Sequence, residues 1–294
     1  MPSQFRAGGP KAPKTILRDG REISYSCPLL MGIINVTPDS FFGGSRRSGA
    51  QEAAAAAVKM SEAGARVIDI GGESTRPGAE FVDAATETER VCSAVSSIRN
   101  SCPEILISVD TYKASVAKAA LDCGADIIND ISAMSFDDKM VDVLKSCGAP
   151  VVLMHTRGNP REMQKNTSYE DPVREICGYL AGRADFAVKN GIAPEKIILD
   201  PGIGFAKLLN HNLALLRGLD YFMDLGYPVL VGASRKTFIG LLLSGTDKPV
   251  PPEERLEGTL AVTAFLVSKG VHIVRVHDIP ENAATLKIAE ALWR

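Results

Sequence analysis

The sequence predicts an α/β chain folded as a single (β/α)8 barrel. One phrase recurs along it: a helix, a glycine, one further residue and then an apolar strand. It reads "SEAGARVIDI", "LDCGADIIND", "KSCGAPVVLM", "VKNGIAPEKIILD", "MDLGYPVLVG" and "VSKGVHIVRV". The strands in these phrases are apolar without alternation, as when helices cover a sheet and both faces are buried. Strict alternation of strand and helix implies parallel strands joined by right-handed crossovers. With "LLMGII" and "EILISVD" the strands number eight, and they occupy the 294-residue chain from Leu29 onward. A closed barrel of this kind needs about 250 residues. An open doubly wound sheet is the runner-up, but it usually has fewer units and a nucleotide-binding glycine-rich first turn.

Taken in order, "ILRDGREISYSCP" reads as a short hairpin turning at Asp19-Gly20, an Asp-Gly pair being a strong hairpin signal. Residues 1–28 are therefore a tail and hairpin, expected to plug the N-terminal mouth of a barrel formed by residues 29–294. The strands are expected at Leu29–Ile34, Arg66–Ile70, Glu104–Val109, Asp126–Asn129, Pro150–Met154, Lys196–Leu199, Tyr227–Val231 and His272–Val276. Amphipathic stretches such as "GAQEAAAAAVKMSEAGA", "YKASVAKAALDCGA", "REICGYLAGRADFAVKNG" and "EERLEGTLAVTAFLVSKG" supply helices between them. Gly64, Gly124, Gly148, Gly191, Gly226 and Gly270 each follow a helix, where a left-handed residue ends it without a Cβ penalty.

Hydrophobic residues make up 45% and charged residues 23% of the chain, ordinary globular values. A formal net charge of -2 argues against a generally basic nucleic-acid surface. The six cysteines are dispersed without a C-x-x-C pair. They read as small buried hydrophobes of a reducing compartment. The opening "MPSQFRAGGPKAPK" is basic but lacks the apolar core of a secretory signal, and no apolar run approaches the ~20 residues that span a bilayer. A cytoplasmic protein is expected.

Chemistry in such barrels sits at the C-terminal mouth. The strand ends in order carry Asn35, Asp69 with "GGESTRPG", Asp110, Asn129-Asp130, His155, Asp200, "GASRK" and "RVHD". All eight are polar or charged, which scaffolding alone does not require. Carboxylates accept parallel N–H bonds and an amide both gives and accepts. Asp110, Asn129 and Asp200 therefore suit an aminopyrimidinone edge. Arg275, His277, Arg76 and Lys236 form a cationic set suited to phosphate oxygens. Asn35 is a hard oxygen ligand for Mg²⁺, which keeps most of its waters and shares substrate phosphates. The four histidines show no zinc spacing. "GIGFAK" lacks the third glycine of a dinucleotide loop, "GASRKT" is not a P-loop, and no G-x-S-x-G elbow is present. Lys236 has a rival reading as a Schiff-base lysine with its pKa lowered by Arg235, although its place past the strand suits a binding cation better.

"NVTPDSF", "DIGGESTRPGA", "SVDTYK", "GADIINDIS", "VLMHTRGNPREMQ", "LDPGIGFAK", "LVGASRKTFIG" and "IVRVHD" resemble, in order, the signature blocks of the dihydropteroate synthase family. The resemblance implies a barrel that condenses 6-hydroxymethyl-7,8-dihydropterin diphosphate with 4-aminobenzoate and releases pyrophosphate. It implies pterin contacts from Asp110, Asn129, Met154, Asp200 and Lys236. Pyrophosphate would meet Asn35, Thr75, Arg76, Arg275 and His277, with Mg²⁺ on Asn35. Thr75, Arg76, Pro77, Phe205, Ser234 and Thr237 would border 4-aminobenzoate. Asp39, Lys236, Arg275 and His277 would carry catalysis, in a dissociative reaction without a covalent enzyme intermediate. Family members are commonly homodimers. Two departures stand out: "SFFGGSRRSGA" replaces an "SFSDGG"-like run, and Leu208 stands where a Thr is common. Rival readings are a pterin-binding methyltransferase acting on a corrinoid, which has no use for Asn35 or the Arg275/His277 pair, and a catalytically silent pterin-binding paralogue.

Overall fold

The computed structural model describes residues 13–37, 46–74, 78–79, 81–158, 162–163 and 166–293. Two short strands, β1 (Lys14–Ile16) and β2 (Glu22–Ser24), form an antiparallel hairpin. Eight parallel strands follow: β3 (Leu29–Asn35), β4 (Val67–Gly71), β5 (Leu106–Asp110), β6 (Ile127–Asp130), β7 (Val151–Met154), β8 (Ile197–Asp200), β9 (Leu230–Val231) and β10 (Ile273–Val276). They are hydrogen-bonded in the order β8-β7-β6-β5-β4-β3-β10-β9. A parallel bridge between Leu199 and Val229 joins the two ends and closes the barrel.

Helices cover the outside: α1 (Arg46–Glu62), α2 (Ala84–Ser101), α3 (Ala114–Asp122), α4 (Met140–Cys147), α5 (Pro172–Lys189), α6 (Leu209–Arg217), α7 (Leu219–Met223), α8 (Thr237–Ser244), α9 (Leu256–Ser268) and α10 (Ile279–Trp293). All six glycines of the recurrent phrase have positive φ. Gly148 shows the reason: at φ +62° it returns its N–H to the carbonyl of Leu144 and ends α4. The expected strands are found within a residue or two, except the seventh. Of Tyr227–Val231 only Leu230–Val231 is regular strand, because Pro228 has no N–H to give a ladder. Its carbonyl still accepts from Leu199 N at 2.9 Å.

Successive strand residues face opposite sides, and burial follows that parity. Ile68, Ile70, Ile107, Val109, Ile128, Leu153 and Leu199 face outward into the main core beneath the helices. Met31, Val67, Ile127, Val152, Ile198, Leu230 and Ile273 face inward as an apolar layer at the bottom of the barrel. Leu17 and Ile23 of the hairpin complete that layer, so the plug lies where the sequence places it. Lys196 ties the hairpin down, its ammonium donating to Ile16 O at 3.2 Å and Gly148 O at 2.6 Å.

The cysteines depart from expectation. All six are free, but Cys27 is exposed and the others are only partly buried. Cys102 and Cys123 cap helices and Cys147 ends one, positions where the chain emerges from the core.

Candidate active site

Counting upward by twos from the apolar layer gives the side chains that point into the barrel. Val67 leads to Asp69, Leu106 to Ser108 and Asp110, Ile127 to Asn129, Val152 to Met154, Ile198 to Asp200 and Ile273 to Arg275. The strand register sets several of these side by side. Asn35 lies opposite Gly71, Gly71 opposite Asp110, and Asp110 opposite Asn129. Met154 lies opposite Asp200. The upper interior is thus a band of amides and carboxylates above a hydrophobic floor.

Arg275 crosses this band. Its Nε donates to Asp69 Oδ2 at 2.6 Å and its Nη2 to Asp110 Oδ2 at 3.0 Å. Asn129 Nδ2 also donates to Asp69 Oδ2, at 3.0 Å. Three oxygens are left over: Asp69 Oδ1, Asp110 Oδ1 and Asn129 Oδ1 are buried without hydrogen-bond partners. Burial pushes the Asp110 carboxyl up to about 7 even though Arg275 pulls it down. Burial also raises Asp200, against a hydrogen bond from Gly202 N to its Oδ1 at 2.7 Å.

Lys236 stands on the other side of the mouth. Its ammonium donates to Ile203 O and lies 4.2 Å from the centre of the Phe205 ring. Burial lowers it to about 7, against the pull of Asp200. Arg235 is not the cause. Its guanidinium turns away to form a bidentate pair with Asp278, both bonds 2.7 Å. Ser234 Oγ lies 3.0 Å from His277 Nδ1 and accepts from His277 N at 3.2 Å, so these two residues are neighbours. Thr237 begins α8 and is exposed.

Asp69 is the residue that sequence reasoning noticed but left without a role. It lies inside β4 rather than at its end, and the signal was a lone carboxylate interrupting "VIDI". Two other polar strand ends face away from the barrel. Asp130 accepts from Ser132 N, Ser132 Oγ and Met134 N and so builds the turn after β6. His155 is buried edge-on to Tyr179, with ring centroids 5.0 Å apart, and burial lowers it to about 2. The guanidinium of Arg275, expected in a cationic set suited to phosphate oxygens, is engaged here by two carboxylates. Asp39, Thr75, Arg76 and Pro77 lie outside the described residues, as does most of the unusual first loop, 38–45.

The family profile described as "Pterin binding enzyme" matches residues 31–277. The chain belongs to the pterin-binding enzyme family. Within it, the relatives are dihydropteroate synthases. That of Synechocystis sp. is 46% identical over 265 residues, covering 90% of each chain. The structure of the Xanthomonas albilineans dihydropteroate synthase with 4-aminobenzoic acid superimposes with a TM-score of 0.87 at 36% identity, covering 96% of this chain and 98% of that one. The Yersinia pestis enzyme in complex with a sulfonamide drug has a TM-score of 0.87 at 39% identity, covering 95% and 98%.

Proposed function

We propose that this pterin-binding enzyme is a dihydropteroate synthase, joining the amine of 4-aminobenzoate to the exocyclic carbon of 6-hydroxymethyl-7,8-dihydropterin diphosphate. A C–N bond forms, the C–O bond to diphosphate breaks, pyrophosphate leaves, and the amine gives up one proton. One observation carries the pterin half of the reading, while Asn35 and the Arg275/His277 pair favour a diphosphate substrate over a methyl donor. Three buried acceptor oxygens, on Asp69, Asp110 and Asn129, lack donors in one band. Buried acceptors without partners cost about 1–3 kcal/mol each. A ligand that brings several N–H groups on one planar edge, as an aminopyrimidinone does, satisfies them together.

The residues divide the labour. Asp110, Asn129 and Asp200 hold the pterin edge, Met154 supplies an apolar wall, and Lys236 reaches the pterin carbonyl. Asp69 orients both Arg275 and Asn129. Arg275 on β10 and His277 just past its end face the leaving diphosphate. When pyrophosphate departs, positive charge developing on the pterin is stabilised by the carboxylates already placed beneath it. Asp39, Thr75 and Arg76 complete the diphosphate side, and Pro77, Phe205, Ser234 and Thr237 border the 4-aminobenzoate.

Mg²⁺ fits this donor set. No group of three or more His, Cys, Asp or Glu residues could hold a metal alone among the described residues. A cation that takes water and substrate phosphate as its other ligands needs only a hard oxygen at the rim. Asn35 offers one: its Oδ1 would lie 3.3 Å from a Cβ on Gly71, and the glycine leaves that space open. Bound there, Mg²⁺ would neutralise charge on the leaving diphosphate.

We place the enzyme in the cytoplasm; no described helix is long and apolar enough to cross a membrane. Small-molecule substrates are its partners, together with a second copy of the chain. The exposed Phe265, Ile288, Leu292 and Trp293 beside a groove lined by Ala264, Ala284 and Ala289 support a homodimer through α9 and α10.

The pterin assignment is tested by Asp110→Asn. Calorimetric affinity for pterin diphosphate is expected to fall at least tenfold while affinity for pyrophosphate is retained. Unchanged pterin affinity would remove Asp110 from the site.

A further inference from the structure

Lys207 is a buried lysine that no step above uses. It follows β8 in "GIGFAK" and is 4% exposed. Its Nζ donates to Phe205 O at 2.7 Å and to His155 O at 3.3 Å, and lies 3.1 Å from His155 Nδ1. Three hydrogen-bonding partners surround one nitrogen. The set is closed for an ammonium, with three donors and three acceptors. It is equally closed for a neutral amine that accepts from Nδ1–H. Burial holds Lys207 well below an ordinary lysine, so charge alone does not explain why a lysine sits there.

What it joins is more informative. His155 follows β7 and Phe205 lies in the loop after β8. The loop is tight: Gly202, Gly204 and Ala206 all have positive φ, at 70°, 85° and 51°. A Cβ on Gly202 would come within 2.0 Å of His155 O, and one on Gly204 within 2.6 Å of Lys236 Cδ. The loop is therefore a thin wall, with His155 and Lys207 behind it and Lys236 in front. Lys236 touches its front face through Ile203 O and the Phe205 ring. Tyr169 OH adds a bond from behind, to Ala206 O at 3.1 Å.

We propose that Lys207 is a positioning residue that fixes the backbone of Phe205 against His155 and thereby sets the wall of the 4-aminobenzoate subsite. The proposal rests on the synthase reading. Lys207 touches neither substrate. Its effect is transmitted through the Phe205 carbonyl to the ring, and so it belongs to the affinity for the aryl amine more than to the bond-breaking step.

The test is a double-mutant cycle between Lys207→Met and Phe205→Ala, read as KM for each substrate and kcat, with Tm measured in parallel. Lys207→Met is expected to raise KM for 4-aminobenzoate about tenfold, with KM for pterin diphosphate changed less than about twofold. The double variant is expected to be no worse than Phe205→Ala alone, because Lys207 acts through that ring. Independent, multiplicative effects on KM would overturn the proposal, as would a Lys207→Met protein with lowered Tm and unchanged KM. Should the methionine variant fail to fold, Lys207→Gln keeps an N–H donor in the cavity and is read in the same cycle against the same outcomes. Wild-type protein without turnover would instead refute the synthase reading. The cycle would then be read on calorimetric affinity for 4-aminobenzoate, where additivity again overturns the role of Lys207.

Discussion

Asp110 is a carboxyl group whose burial raises its pKa from 3.8 to about 7. The folded protein therefore holds a proton that the unfolded chain releases near pH 4. Between about pH 4 and 7 the folded state binds more protons, so this group makes stability fall as pH rises. Asp130, raised to about 6 by burial, adds the same sign over a narrower window. His155 and Lys236, which burial holds below their ordinary values, act in the opposite sense over part of this window. The Asp110 contribution is therefore read as a difference: the Tm of ligand-free wild type relative to Asp110→Asn is expected to fall from pH 5 to pH 7.5. A difference that does not change with pH would mean that the Asp110 carboxyl is not held above its ordinary value. Individual residues differed in how readable they were. Asn35, Asp110, Asn129 and Asp200 were legible because each lies at or next to the end of an apolar strand. Asp69 was not, because it lies within β4, and only the parity of the barrel interior shows that it points inward. His155 and Asp130 count among the polar strand ends, but the same parity turns them out under the helices. The contacts of Arg235 with Asp278 and of Lys207 with His155 join distant segments, and no local pattern announces them.

At the scale of elements, the capping residues explain where helices begin. Asp171 caps α5 by accepting from Val173 N and Arg174 N, both at 3.1 Å. Asp83 does the same for α2 through Thr86 N at 2.9 Å. The cap of α6 is Leu208, which has no side-chain acceptor, and the return contact is Leu208 N donating to His211 Nδ1 at 3.3 Å. Leu208 is half exposed, so little burial is lost by replacing it. Leu208→Thr is expected to stabilise the protein by about 1 kcal/mol, read as a rise of roughly 2–4 °C in Tm. No gain would mean that α6 is already satisfied by other donors. Strands and their glycine stops were legible from the recurrent phrase. The break between α6 and α7 was not: a Cβ on Gly218 would meet Val173 Cγ1 at 2.9 Å, a tertiary contact that local sequence does not encode.

For the whole molecule, the barrel separates stability from chemistry. The hairpin fills the bottom with Leu17 and Ile23, while the polar band lies at the opposite end. Ile23→Ala is expected to cost about 2–4 kcal/mol and leave kcat unchanged at temperatures where the variant is folded, as measured by denaturation and steady-state assay. A specific loss of kcat in folded protein would contradict that separation. Architecture was legible because the strands are largely apolar without alternation and six of the seven crossovers end in the same glycine. The pair of salt bridges from Arg275 to Asp69 and Asp110 was not, since it joins β10 to β4 and β5. The most direct measurement for the whole molecule is pyrophosphate release by purified protein given pterin diphosphate, 4-aminobenzoate and Mg²⁺. Release that requires 4-aminobenzoate and is abolished by EDTA is the expected result. Tight binding of pterin diphosphate without any release would contradict the synthase assignment and identify a silent pterin-binding protein.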